Sequence, residues 1–141
     1  MRKIGLLFAV LLLFLTGCNN SQVPKIDEYD WVMTSVQSMD ADGQAIAIGE
    51  RGSSTLSSAK QINMTCKAEN GNLTLADQTN NKTYTGTYKL TQTDPKSNIY
   101  EVVVDGEEGM AVVAMTTYHD GSQEPTFIIN LGDYTINLFA E

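Results

Sequence analysis

The sequence predicts an all-β fold, an antiparallel up-and-down meander of eight to nine strands closed into a barrel. Apolar and polar residues alternate with a period of two through most of the chain after Tyr29, whereas no apolar pattern of helical period lasts ten residues. Dipeptides that tolerate the positive φ of tight hairpin turns interrupt this alternation. They are Asp42-Gly43, Asn70-Gly71, Asp105-Gly106 and Asp120-Gly121. Because most connections are short, neighbouring strands should pair, and closing the sheet removes its exposed edges.

The alternation is clearest from Thr83 to Leu90, where Tyr84, Gly86, Tyr88 and Leu90 share one face and polar residues occupy the other. A glycine in the middle of a strand indicates a bend or a close approach of another backbone. The same reasoning gives nine strands in chain order. They cover residues 29–39, 43–50, 61–69, 72–77, 82–92, 98–105, 109–118, 125–131 and 133–139.

Two stretches depart from the alternation. Arg51 to Lys60 is rich in Gly, Ser and Thr without a pattern, and we expect a mobile loop across one end of the barrel. Met110 to Met115 is apolar at successive positions, so we expect this strand to be covered on both faces.

The N-terminal region has the pattern of a secretory signal. Arg2 and Lys3 precede an uncharged apolar run from Ile4 to Leu15. This run of twelve residues is too short to cross a bilayer, which takes about 20 apolar residues. We therefore interpret it as a targeting segment that is removed from the mature protein.

Leu15-Thr16-Gly17-Cys18 closes this region and resembles the lipobox of bacterial lipoproteins. The resemblance implies that the Cys18 thiol receives a diacylglycerol, that cleavage precedes Cys18, and that two or more acyl chains then anchor the protein stably. It divides the chain into a signal peptide (1–17), a lipidated tether (18–27) and a barrel domain (28–141). The protein should lie in the bacterial cell envelope, with its domain outside the cytoplasm.

Charge and cysteine content narrow the possible partners. Removing residues 1–17 takes two of the nine basic residues and leaves seventeen acidic ones, so the mature net charge is about −10. Such a surface is repelled by nucleic acid and by anionic lipid, which leaves acylated Cys18 as the contact with the bilayer.

Cys66 is the cysteine that remains once Cys18 is acylated. It shares a strand face with Met64 and Ala68, so we expect a buried, free and inert thiol.

A second resemblance covers Asp27 to Glu141. The segments that carry it are Asp30 to Ser35 with Trp31, Asn70 to Leu75, Gly86-Thr87-Tyr88 and Gly132 to Ile136. In this order they are similar to small bacterial lipoproteins with lipocalin-like domains, although Tyr29 stands where that family usually has glycine. The resemblance implies a calycin-type barrel and a function in binding rather than catalysis. It assigns no functional residue.

The residue patterns predict no catalytic residue, no metal ligand and no cofactor. His119 is the single histidine and precedes a turn, so it does not supply the ligand set of a usual zinc site. Ser57 and Lys60 have Ser-x-x-Lys spacing, but the partner motifs of the acylating enzymes are missing. We therefore expect a protein that is not an enzyme.

The alternation places several large rings inside the barrel, namely Trp31, Tyr84, Tyr88, Tyr100, Phe127 and Tyr134. Rings of this size should leave the interior mostly filled, with at most a small cavity near one end. The hydroxyl groups should gather at that end, near Gly86. The candidate ligand contacts are Trp31, Tyr84, Tyr88, Tyr100 and Tyr134.

Two functions remain open on this sequence. The first is a binding module that takes a small apolar ligand at the barrel end. The second is an envelope interaction or inhibitor protein, whose filled barrel binds a protein partner through its loops. An internal cavity distinguishes the first from the second.

Overall fold

The computed structural model describes residues 22–51 and 60–141. Cys18 and the signal region lie outside the described residues, as do positions 52–59 of the predicted mobile loop. Within the described ranges every regular element is a β-strand. They are β1 (Trp31–Met39), β2 (Ala45–Glu50), β3 (Lys60–Gln61), β4 (Met64–Glu69), β5 (Asn72–Asp77), β6 (Lys82–Thr93), β7 (Ser97–Val104), β8 (Glu107–Thr117), β9 (Gln123–Leu131) and β10 (Tyr134–Ala140).

Eight of these strands close into a barrel, which confirms the predicted fold class. β4 to β10 follow one another as antiparallel neighbours, and β1 joins the two ends of the series by pairing with β4 and with β10. The β1–β10 seam is long and runs from Trp31 opposite Ala140 to Ser38 opposite Tyr134. The β1–β4 seam holds only the pairs Trp31–Cys66 and Val32–Thr65.

β2 and β3 lie outside this closed series. The second half of β1, Ser35 to Met39, pairs with β2. It uses the same edge of β1 through which Trp31 and Val32 pair with β4. The register of β1 shifts after Met33 and again after Val36, and such irregularities bend a strand and increase its twist. β1 therefore leaves β4 and turns toward β2.

β3 is the one departure from the antiparallel meander in the described strands. It pairs parallel to β2, with Gly49 opposite Lys60. The predicted strand 61–69 is thus two elements, β3 and β4, separated by Ile62 and Asn63. Alternation continues through this break, which is why the sequence pattern alone did not reveal it.

The interior of the barrel carries the side chains that the alternation placed there. Trp31 and Phe127 are completely buried, and their ring centroids lie 5.2 Å apart. Cys66 is buried and free, which confirms its predicted state. A Cβ at Gly86 would collide with the carbonyl oxygen of Val103, so the predicted close backbone approach is confirmed.

The outer face of β8 is not covered by other described residues, and that expectation is wrong. Met110 is 51% exposed, and Val112 is only partly buried. The barrel is a single sheet closed on itself. Its outward residues therefore face solvent unless another element covers them, even where they are apolar.

Adjacent residues of β9 provide a test of the register. We expect Phe127→Ala to lower the free energy of unfolding by about 3–5 kcal/mol, because it removes a buried ring from the core. Ile128→Ala on the opposite, outward face should cost about 1 kcal/mol or less. Urea unfolding followed by circular dichroism measures both, and equal losses would contradict the register.

Candidate functional site

The two ends of the barrel differ in construction. The turns β4–β5, β6–β7 and β8–β9 lie at one end, together with the segment that precedes β1. We call this the closed end. The turns β5–β6, β7–β8 and β9–β10 lie at the other, which we call the open end.

The closed end is filled by Pro24 to Ile26, a segment that we call the plug. Pro24 and Ile26 are buried. The indole Nε1 of Trp31 donates a hydrogen bond to the carbonyl oxygen of Ile26, 2.7 Å away. The amide of Ile26 donates to the Tyr100 hydroxyl at 3.2 Å, and the Asn98 side chain donates to the Pro24 carbonyl at 3.0 Å. The plug is thus hydrogen-bonded to both β1 and β7.

The plug includes part of the predicted tether. The sequence predicts a polar tether over residues 18–27, but Pro24 and Ile26 pack inside the barrel end. Two of the described positions 22–27 are buried, which is too few to produce a periodic signal.

Three of the five predicted ligand contacts lie in the closed half. Trp31 packs edge to face on Tyr29, and Tyr88 packs in the same way on Tyr100, with ring centroids 5.4 and 5.9 Å apart. Burial raises the pKa of the Tyr100 phenol above its ordinary value, so its hydroxyl stays neutral. Trp31 and Tyr100 contact the plug, and Tyr88 packs on Tyr100, so these rings lie away from the open end.

The open end holds a cavity of about 430 Å³ that we call the cup. Its wall is mostly aliphatic, and Tyr84 and Tyr134 are the predicted contacts that line it. Tyr134 is 48% exposed and therefore lies at the mouth. The apolar lining consists of Val36, Ile48, Ile62, Met64, Leu75, Val104, Leu131 and Ile136.

The expectation of a mostly filled interior holds for the closed half and is wrong for the open half. The large rings concentrate at the plug, whereas medium-sized aliphatic residues surround the cup. Alternation along the sequence identifies the inward rings but does not locate them along the barrel axis. Inward apolar residues and outward polar residues alternate in the same way at both ends, so the alternation did not predict the cup.

Carboxylates from two hairpin turns line the cup beside its apolar wall, a position that the sequence pattern did not predict. Asp77 precedes the β5–β6 turn, and Asp105 and Glu107 flank the β7–β8 turn. The Asp105 carboxylate accepts a hydrogen bond from the amide of Thr85 at 3.0 Å. Glu107 lies against Gly132 of the β9–β10 turn. The cup is therefore apolar inside and acidic along one side.

Asp77 is buried, and it is the most constrained of these carboxylates. Burial alone would raise the pKa of Asp77, but hydrogen bonds from the side chain and amide of Asn80 and the amide of Thr79 outweigh it. Lys82 adds a favourable charge, and the pKa stays below its ordinary value. The Lys82 ammonium also lies 4.6 Å from the centroid of the Tyr84 ring. Asp77 is thus ionised at neutral pH.

A second hollow of about 450 Å³ lies on the outside of the barrel, between β1, β8, β9 and β10. Its polar groups are already paired with one another. Thr116 and Thr126 share a hydrogen bond of 2.8 Å, and the Tyr118 hydroxyl donates to Glu124 at 2.7 Å. This groove is more open to solvent than the cup and presents fewer apolar side chains, so we favour the cup as the candidate site.

Metal-ligating and nucleophilic groups are sparse around the cup. In the described part of the chain, no three His, Cys, Asp or Glu residues are grouped so that they could hold a metal ion. Burial raises the pKa of the Cys66 thiol to about 12, which keeps it protonated and unreactive. His119 is exposed in the β8–β9 turn, at the closed end.

Residues 1–19 match the family model described as the prokaryotic membrane lipoprotein lipid attachment site. The protein is a lipoprotein of the bacterial cell envelope. Lipid anchors the lipoprotein to a membrane and leaves its domain outside the cytoplasm. No curated protein and no solved structure matches the chain. In residues 22–51 and 60–141, none of the elements is a helix with the length and apolarity needed to span a bilayer.

We expect Cys18 to carry the anchor, because it is the cysteine within the matched residues. Cys18→Ser should move the lipoprotein from the membrane pellet to the soluble fraction when cells are broken and fractionated. Cys66→Ser should leave it in the pellet. A Cys18→Ser protein that still pellets and resists salt extraction would show that another attachment holds it.

The lowered pKa of Asp77 predicts a pH-dependent stabilisation. The carboxylate is favoured in the folded state, so its contribution is complete above the unfolded pKa of about 3.9 and is lost as pH falls through the lower, folded value. Asp77→Asn should therefore cost about 1–3 kcal/mol at pH 7, and the difference from the native protein should shrink toward pH 2. Urea unfolding at both pH values measures this.

Asp133→Asn in the exposed β9–β10 turn is the control, and its cost should stay within about 0.5 kcal/mol at either pH. A cost for Asp77→Asn that is the same at pH 7 and pH 2 would contradict the role given to the charge.

Proposed function

We propose that this lipoprotein is a non-enzymatic binding module that takes one small, largely apolar ligand in the cup. The observation that carries the proposal is the cup itself. Its volume of about 430 Å³ falls within the range of about 300–1,000 Å³ typical of small-molecule sites. It is also the mouth of a barrel of eight strands, whose interior has room for one small ligand.

The depth of the cup limits the ligand. The closed half is packed by Trp31, Phe127 and the plug, so a ligand enters only as far as the aliphatic wall extends. Burying roughly 200 Å² of apolar ligand surface would contribute about 5 kcal/mol before the costs of association. Since about 5 kcal/mol corresponds to a dissociation constant of about 0.2 mM, we expect a dissociation constant near millimolar.

The polar groups of the cup favour some ligands over others. Asp77, Asp105 and Glu107 outnumber Lys82, so an anionic ligand would meet repulsion at the mouth. The rings of Tyr84 and Tyr134 offer flat surfaces and hydroxyl groups. The favoured ligand is therefore neutral or cationic, with an apolar body.

The absence of catalysis is part of the proposal. It is supported by the position of the two side chains best suited to nucleophilic or acid–base chemistry: Cys66 is buried and protonated, and His119 lies at the opposite end from the cup. The alternative function is a protein that binds a partner through its loops and has a filled barrel. The cup supports the binding module instead, because the open end is not filled.

A pair of fluorescent probes tests the proposal. N-phenylnaphthylamine is neutral, and anilinonaphthalenesulfonate adds a sulfonate to the same rings. Titrated into the soluble Cys18→Ser protein, the neutral probe should bind with a clear rise in fluorescence. The anionic probe should bind roughly tenfold more weakly because of the rim carboxylates, which corresponds to about 1.4 kcal/mol.

Matched tryptophan variants locate the binding. Ile136→Trp places an indole in the cup and should weaken binding of the neutral probe by roughly tenfold or more, whereas Ile128→Trp on the outer face should not change it. Circular dichroism verifies folding. If Ile136→Trp does not fold, Ile62→Trp at the half-buried wall replaces it. Native affinity in a folded cup variant would overturn the proposal.

A further inference from the structure

The described chain begins at the closed end of the barrel. Gln22 and Val23 lie in a hollow with Pro95 and Lys96 of the β6–β7 turn and with Gln123 at the start of β9. These are closed-end elements. The lipidated region is therefore connected to the barrel on the side opposite the cup.

The plug fixes this exit point. Moving it toward the open end would require withdrawal of the buried Pro24 and Ile26 and rupture of their hydrogen bonds with Trp31, Tyr100 and Asn98. Each such hydrogen bond contributes about 1 kcal/mol, and the apolar burial adds to it. The connection to the lipid is thus part of the folded domain from Pro24 onward.

The length of the remaining chain is short compared with the barrel. Four peptide units separate Cys18 from Gln22 and span at most about 14 Å. β1 contains nine residues and rises about 26 Å, or about 20 Å along the axis of a barrel with ordinary strand tilt. The tether is therefore too short to bring the open end to the surface in which Cys18 is embedded.

We propose that the cup opens away from the membrane that anchors the lipoprotein, so that its ligand is a water-soluble small molecule. This proposal rests on the proposed function and adds the direction of access to it. A lipid drawn from the anchoring bilayer would have to cross the length of the barrel through water to reach the cup.

Fluorescence quenching on vesicles tests the orientation without any ligand. The full lipidated protein is reconstituted into vesicles of phosphatidylcholine and phosphatidylglycerol that contain headgroup-nitroxide lipid. A fluorophore is attached either at Gln78→Cys, in the exposed β5–β6 turn of the open end, or at His119→Cys, in the exposed β8–β9 turn of the closed end. The buried Cys66 should not react with the label in the native protein.

We expect the label at position 119 to be quenched roughly threefold or more strongly than the label at position 78, given a separation of about 20 Å along the axis. Equal quenching, or stronger quenching at position 78, would overturn the proposal. Failure of the proposed function looks different. In that case the soluble Cys18→Ser protein does not bind N-phenylnaphthylamine, whatever the quenching pattern of the lipidated protein.

Discussion

The hydrogen bond from the Trp31 indole to the Ile26 carbonyl is the contact on which the arrangement of this domain depends. A completely buried indole needs a partner for its N–H, and the plug supplies that partner at 2.7 Å. Trp31 also packs on Phe127, so the same side chain links the plug, β1 and β9. It closes one end of the barrel and fixes the direction from which the tether arrives.

The cup follows from this distribution of rings. A barrel of eight strands has a nearly fixed interior, and large side chains in one half leave medium-sized ones to line the other. The aliphatic wall around the cup encloses a volume that its side chains do not fill. The closed end and the cup are thus two consequences of one uneven packing.

Turn chemistry determines the charge of the cup. Asp77 accepts the amides of Thr79 and Asn80, and Asp105 accepts the amide of Thr85, so both stabilise backbone groups at the ends of hairpins. These turns surround the open end. Residues that are needed to form the turns therefore place negative charge beside an apolar cavity, and this combination disfavours anionic ligands.

The sequence by itself determined which side chains face inward, which turns join the strands, and where lipid is attached. Period-two alternation assigns a face to each residue, and this assignment was correct for the buried side chains from Met64 in β4 to Leu138 in β10. It was wrong for Leu90, which is 50% exposed and stands next to the register shift of β6. It did not determine the height of a residue along the barrel. Tyr84 and Tyr88 share a face, yet four residues of strand separate them by about 13 Å, and one lines the cup while the other packs in the closed half.

Only the tertiary structure decided those heights, because they depend on the stagger between paired strands rather than on any single strand. The same is true of the plug, whose burial depends on Tyr100 and Asn98, more than seventy residues away. The parallel pairing of β3 with β2 and the bend in β1 likewise arise from contacts between distant segments. The local sequence pattern determines which face of the sheet a side chain occupies and where the turns lie. The position of the cup depends on the register between strands of the closed sheet.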